Sequence, residues 1–368
     1  MTKAFKYRIY PKKSQQSILR KQLEQCRWLY NHLLEQRKTA FEERKESLSC
    51  FGQQRTYKQL KADRPSLSTV HSQVLQNVAV RIDLAFKAFF RRCKAAEKPG
   101  YPRFRGRNRY DSITYPQYGN GAKLNTDASL QLSKIGRVKM VYHRPIQGTP
   151  KTVTIRRSTT GKWYATITCE WEPTPLERNE KQVGIDVGLN YFVVLSNGEK
   201  INNPRFFRTD EKALAKAQRR FSFVAKATDF NKRKKVVSRI HERIGFRRHN
   251  FIHQLCWHIV SLFGFIAVED LNVNRMVHNH CLAKSISDAA WRMFFSALAW
   301  KAECAARQFV AVNPAYTSQT CSDCGHRQKI SLDKRIYKCR CCHLEIDRDL
   351  NAAINILTLG LQSQLGNQ

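Results

Sequence analysis

Cys321, Cys324, Cys339 and Cys342 stand in the pattern C-x2-C-x14-C-x2-C. Each C-x2-C turn offers two thiolates, and two such turns complete the tetrahedron that Zn²⁺ prefers. Cys341 is an alternative to Cys342 as the fourth ligand, although a C-x-C turn presents its thiolates less favourably. His326 and His343 lie close by and read as surface residues. The other seven cysteines (Cys26, Cys50, Cys93, Cys169, Cys256, Cys281 and Cys304) are scattered, which suits buried thiols in a reducing compartment rather than disulfides.

Carboxylates form the second set. In "VGIDVGL", Val183, Ile185 and Val187 share one strand face and Asp186 points to the other, between Gly184 and Gly188. Glycines beside a carboxylate leave room for a metal ion and a phosphate backbone. "FIAVEDL" puts Glu269 and Asp270 on opposite faces at the end of an apolar strand, and parity alone leaves open which one faces a site. "EIDRDLNAAINIL" puts Asp347 and Asp349 at a helix start, about 200° apart around the axis, so at most one joins the others. Asp347 suits the N-cap, while Ala352, Ala353 and Ile356 follow on Asp349's face and let the helix lie close to a sheet. Acids from three separate elements on a basic scaffold fit a two-metal phosphodiester site, in which carboxylate-held Mg²⁺ stabilises the attacking and leaving oxygens.

The scaffold has 368 residues, with 65 Lys and Arg against 29 Asp and Glu, a formal net charge of +36. Self-repulsion on that scale calls for a polyanion, and nucleic acid supplies one with counterion release as the driving term. "MTKAFKYRIYPKK" carries charges where a secretory signal needs an apolar run, and "WHIVSLFGFIAV" is too short to span a bilayer. The loop "KPGYPRFRGRNRY" interleaves Tyr101, Phe104 and Tyr110 with Arg103, Arg105, Arg107 and Arg109, a mixture suited to stacking on bases and pairing with phosphates.

The elements that must position these residues follow from periodicity. "KAFKYRIYP" reads as a half-buried strand ended by Pro11. A helix follows with Ser14 as its N-cap, and a second covers roughly 68–96. "KTVTIRR" and "KWYATITCEW" read as paired strands of a small β-domain that the first strand can join. "EPTPLERNEKQ" is a linker, and "VGIDVGLNYFVVLSNGEKI" gives strand, turn, strand and an Asn-Gly hairpin. Residues 205–248 are a basic helical region with 15 Lys/Arg against 4 Asp/Glu, broken near "TDFNKRK". "FIHQLCWHIVSLF" reads as a buried helix, "GFIAVEDL" as a strand, "SDAAWRMFFSALAWKAECAARQ" as one long helix and "FVAVNP" as a strand. This alternation suggests a mixed sheet with helices on both faces.

"AFKYRIYP", "CRWLYN", "GYPRFR", "VGIDVGL", "AVEDL", "SISDAAW", "TSQTCSDCG" and "DRDLNAAINIL" occur in the order found in the TnpB family, which the chain resembles over about 3–357. These are RNA-guided nucleases of bacterial insertion sequences, relatives of the compact type V CRISPR effectors. The resemblance implies an α+β multidomain chain: an RNase H-like RuvC nuclease domain with a zinc-ribbon insertion, plus an oligonucleotide-binding-like (wedge) β-barrel with a helical recognition insert. On this sequence the wedge would take residues 1–10 and 97–178 and the recognition domain 11–96. The nuclease would take 179–316 and 345–357, the ribbon 317–344, and a tail 358–368. Carried over position by position, the nuclease acids would be Asp186, Glu269 and Asp349 with Mg²⁺, and the zinc ligands Cys321, Cys324, Cys339 and Cys342. Tyr101, Arg103, Phe104, Arg105 and Arg107 are the candidate nucleic-acid contacts. The implied partners are a guide RNA and double-stranded DNA beside a short flanking motif, bound by a monomer within a ribonucleoprotein in the bacterial cytoplasm, at the nucleoid and not at a membrane. One departure is Cys-Arg-Cys-Cys-His where the family usually reads C-x-x-C-G. The rival readings are an RNA-guided repressor that does not cut, which the presence of all three acids disfavours, and a transposase or transposition accessory protein.

Overall fold

Phe5, Tyr7 and Ile9 alternate inward along β1 (Thr2–Tyr10), and Pro11 ends the strand. The computed structural model describes residues 1–107, 109–223, 229–331 and 334–365. Its chain forms two compact units, Met1–Glu172 and Pro173–Gln368.

In the first unit β1 leads into α1 (Lys13–Arg44), α2 (Cys50–Arg55), α3 (Tyr57–Asp63), a 3₁₀ turn (Pro65–Thr69) and α4 (Ser72–Lys94). Strands β2 (Ser112–Tyr115), β3 (Ala122–Leu124), β4 (Leu130–Leu132), β5 (Gly136–Val141), β6 (Thr149–Arg157) and β7 (Trp163–Glu170) follow. They join β1 in one seven-stranded sheet, ordered β2-β6-β7-β1-β5-β4-β3. The first strand therefore enters the β-domain at its centre, antiparallel to both β7 and β5. Helix α1 begins after Lys12, not at Ser14. The Lys12 N–H donates to Gln15 Oε1 at 2.9 Å, and Gln15 Nε2 donates to the Arg137 carbonyl at 2.8 Å, so one side chain caps the helix and ties it to β5.

The second unit holds β8 (Gln182–Val187), β9 (Tyr191–Leu195), β10 (Lys200–Asn202), α5 (Phe206–Ser222), α6 (Phe230–Leu262) and β11 (Phe265–Glu269). It continues through α7 (Val273–Met276), α8 (Ala283–Ala289), α9 (Trp291–Cys304), β12 (Gln308–Val312), β13 (Ile336–Lys338), β14 (Glu345–Asp347) and α10 (Arg348–Leu365). The sheet is ordered β10-β9-β8-β11-β12; β8, β11 and β12 are parallel and the β8-β9-β10 meander is antiparallel. Two helix expectations change. The basic and apolar stretches on either side of residue 250 form one continuous α6, since nothing there breaks a helix. The long helix expected after Ser287 instead divides at Ala290, which has φ of 57°. That break lets Asp288 accept the Phe207 N–H and an Arg248 guanidinium bond while Trp291, Phe294 and Leu298 enter the core.

Alternation assigns the two sheet faces. Val183, Ile185, Ile266 and Val268 pack with α6 and α9, whereas Phe265, Ala267 and Val312 pack with Ile356 of α10. Helix α10 lies so close to β8 that a Cβ on Gly184 would sit 2.1 Å from the Ala353 carbonyl oxygen and 2.6 Å from the Leu357 nitrogen. A Cβ on Gly360 would meet that of Ala267 at 2.7 Å. The helix thus runs past Leu357, where a tail was expected, and Leu361 still packs on the core.

Gly184→Ala should therefore force α10 off the sheet and cost about 1–3 kcal/mol, seen as a lower denaturant midpoint. Gly245→Ala, in α6 with open space around the added methyl, should be neutral or stabilising by up to about 1 kcal/mol in the same measurement.

Candidate active site and cysteine cluster

Ala267 of β11 sits beside Gly184 of β8, so the parallel register carries Glu269 to the strand end next to Asp186. By parity both acids project toward the face that α10 covers. The two acids at the end of β11 lie in different surroundings. Glu269 is buried on the α10 face, whereas Asp270 is exposed and its N–H continues the sheet by donating to the Val312 carbonyl at 2.8 Å.

The two acids at the start of α10 also separate. Asp347 is the N-cap of α10: its Oδ1 accepts the N–H groups of Asp349 at 2.9 Å and Leu350 at 3.1 Å, and its Oδ2 receives Lys200 Nζ at 2.6 Å. Asp349 lies in the first turn, on the side where Ala352, Ala353 and Ile356 are buried against the sheet. Its carboxylate meets Arg348 at 3.2 Å and Arg335 at 3.7 Å.

Asp186 feels the other two acids. Burial pushes the pKa of Asp186 well above the usual carboxylate range, the negative charges of Glu269 and Asp349 raise it further, and Arg348 opposes the rise. Burial also raises that of Glu269, against a hydrogen bond from Thr317. A donor set of hard carboxylate oxygens, costly to ionise together, suits Mg²⁺. The carboxylates are spaced more widely than the thiols. Among the described residues only the cysteine group brings three or more ligand atoms within 4.8 Å of one another.

That group is Cys321, Cys324, Cys339 and Cys342. Its Sγ atoms are 3.5 Å apart for Cys321 and Cys342 and 3.6 Å apart for Cys324 and Cys339. A tetrahedron of Zn–S bonds has edges of about 3.8 Å, so the four sulfurs fit Zn²⁺ with little adjustment. Backbone N–H groups of Cys342 and Cys341 donate to the Cys339 sulfur and hold its pKa below the usual thiol range. Cys341 is exposed and outside the cluster, as are the side chains of His326 and His343. Tyr337 is buried with Cys321 and Cys339 as the ribbon's own small core.

The loop after α4 divides. Tyr101, Arg103, Phe104, Arg105 and Arg107 are exposed, and Tyr101 meets Phe86 and Phe89 edge-on. Asn31 of α1 holds the Arg105 backbone, accepting its N–H at 2.7 Å and donating to its carbonyl at 3.0 Å. Tyr110 is buried in the core and drops out of any stacking set. Sequence reasoning missed Thr317, Arg335 and Arg348, which touch the acids, and Asn351 and Asn355, which tie α10 to the segment from Thr317 to Ser322. The only signal was their place beside the motifs.

Residues 166–280 match the family described as "Probable transposase", 291–356 that described as "Cas12f1-like, TNB domain", and 1–46 that described as "Helix-turn-helix domain". In the last segment the structure has one strand and the single helix α1. A protein of Streptomyces pristinaespiralis named "Putative RNA-guided DNA endonuclease" is 35% identical over 98% of this chain and 89% of its own length. The chain belongs to the TnpB family. An Escherichia coli K12 protein, "Putative RNA-guided DNA endonuclease InsQ", is 30% identical over 97% of this chain and 92% of its own. A solved Cas12f1–sgRNA–target DNA complex superposes with a TM-score of 0.61 at 14% identity, covering 97% of this chain and 98% of the Cas12f1 chain. The TnpB fold here is accordingly an RNase H-like RuvC domain with a zinc-ribbon insertion, joined to an oligonucleotide-binding-like barrel with a helical insert. Among the described residues no helix is long and apolar enough to cross a membrane.

Metal analysis should find about one Zn per chain. Cys321→Ser should lose it and Cys341→Ser should keep it; loss from Cys341→Ser with retention in Cys342→Ser would reverse the choice of fourth ligand.

A second test concerns Asp186. Its pKa is raised on folding, so the folded chain binds the proton more tightly than the unfolded chain, and stability falls as pH rises from the ordinary Asp range through the raised value. Without divalent cations, Asp186→Asn should raise Tm at neutral pH, and the gain should fade below the ordinary Asp pKa. Thermal melts across pH check this.

Proposed function

We propose that this chain is an RNA-guided, Mg²⁺-dependent DNA endonuclease that cuts with Asp186, Glu269 and Asp349. The observation that carries the reading is the convergence of these acids, from β8, β11 and α10, at one end of one sheet face. Two Mg²⁺ ions held there would stabilise the attacking and leaving oxygens of phosphodiester hydrolysis. Asp186 anchors the site from the sheet, Glu269 lies beside it in register, and Asp349 approaches from the first turn of α10. Arg348 and Arg335 temper the charge of the cluster.

Relatives named as RNA-guided DNA endonucleases, and a Cas12f1 solved with sgRNA and target DNA, support the same partners for this chain. The surplus of 36 positive charges supports them physically, because phosphate neutralisation supplies affinity without reading sequence. Guide pairing would then read the target while the protein reads a short flanking motif. In this scheme residues 1–10 and 97–178 form the wedge, 11–96 the recognition domain and 317–344 the zinc ribbon. Zn²⁺ sits on Cys321, Cys324, Cys339 and Cys342, and Tyr101, Arg103, Phe104, Arg105 and Arg107 contact nucleic acid.

The test is a cleavage assay beside a binding assay on the ribonucleoprotein. Asp186→Ala, Glu269→Ala and Asp349→Ala should each bind a matched, flanked target yet cut it roughly a thousandfold more slowly. Asp270→Asn should keep cutting, and Asp347→Asn should too, since Asn also caps helices. EDTA should silence the wild type. A wild-type complex that binds its target with Mg²⁺ and never nicks it would favour the repressor reading.

A further inference from the structure

Glu269 is the last residue of β11, where a carboxylate has several orientations unless a neighbour fixes one. Thr317 is that neighbour. Only 4% exposed, it donates its hydroxyl to Glu269 Oε1 at 2.5 Å. Its other acceptor, the Pro314 carbonyl, is 3.3 Å away, and a single hydroxyl hydrogen goes to the shorter, charged contact. Among the described residues Glu269 Oε2 has no hydrogen-bond or ion-pair partner.

The Thr317 backbone is fixed in turn. Asn355 Nδ2 donates to the carbonyls of Thr317 at 2.8 Å and Thr320 at 2.7 Å. Asn351 donates to the Thr320 carbonyl at 2.8 Å and accepts the Ser322 N–H at 2.9 Å. Both asparagines are buried on α10, whose first turn carries Asp349.

We infer that Thr317 is a positioning residue for Glu269. Its hydroxyl occupies one carboxylate oxygen, sets the plane of the group and leaves Oε2 for a cation. Through Asn355, helix α10 governs the orientation of Glu269 as well as the approach of Asp349. The inference rests on the nuclease reading of the three acids. Hydrogen-bond partners behind a ligating carboxylate typically change metal affinity by about 10–100-fold when removed.

The test compares wild-type, Thr317→Ser, Thr317→Val and Thr317→Ala ribonucleoproteins in four measurements. These are zinc content, matched-target binding, cutting against Mg²⁺ concentration, and Mn²⁺ binding followed by electron paramagnetic resonance. Thr317→Val should keep zinc and target binding, need at least roughly tenfold more Mg²⁺ for half-maximal cutting and bind Mn²⁺ correspondingly more weakly. Thr317→Ser, which keeps the hydroxyl, should stay near wild type. Thr317→Ala removes the hydroxyl without placing a methyl against the carboxylate, and should show the same loss even if the valine variant misfolds. Unchanged Mn²⁺ affinity and Mg²⁺ requirement in a folded Thr317→Val or Thr317→Ala overturns the inference while wild-type cutting leaves the nuclease reading intact. Absence of wild-type cutting removes the nuclease reading itself.

Discussion

The contact between α10 and β8 at Gly184 sets the spacing on which the candidate site depends. No side chain fits between that strand and the helix backbone, so the helix comes closer to the sheet than usual side-chain packing allows. Ala353 and Gly360 keep the contact thin along the helix, and Ile356 fills the space beside it. With the helix seated, its first turn falls beside Asp186. Gly184, two residues before Asp186, thus acts on the far side of the site, by admitting the element that brings Asp349.

Close approach concentrates negative charge, and the surroundings compensate in two ways. Near the acids, Arg348 and Arg335 contact Asp349, while Lys200 holds Asp347 apart as a helix cap. Over longer distances the chain is so basic that an acidic cleft becomes a local exception within a positive surface. A phosphate backbone drawn by the wider field meets repulsion where the carboxylates gather, and a divalent cation held there would relieve it.

Residue patterns alone carried the reading a long way. Cysteine spacing picked out the four clustered sulfurs because metal turns are local in sequence. Asp186 was legible because its strand alternates cleanly. The choices between Glu269 and Asp270, and between Asp347 and Asp349, depended on which sheet face α10 covers, and local periodicity does not encode that. β2 to β5 escaped notice because strands of three to six residues barely establish an alternation. The division at Ala290 was hidden because alanine there gives no breaker signal; the helix is bent by the buried Asp288 bonds to α5 and α6. Nothing local in sequence marks Thr317, because its hydroxyl meets Glu269 across 48 residues of chain.

The order of the acids along the chain has a consequence during synthesis. Asp349 follows Asp186 by about 160 residues, with the cysteine ribbon made just before it. At ordinary translation speeds that gap takes roughly ten to thirty seconds. During this interval the nascent chain already displays the whole first unit and much of its positive charge, but lacks the helix that brings Asp349 beside Asp186. Nucleic acid can meet a polypeptide whose three acids are not yet together, because they gather only when the last helix settles onto Gly184.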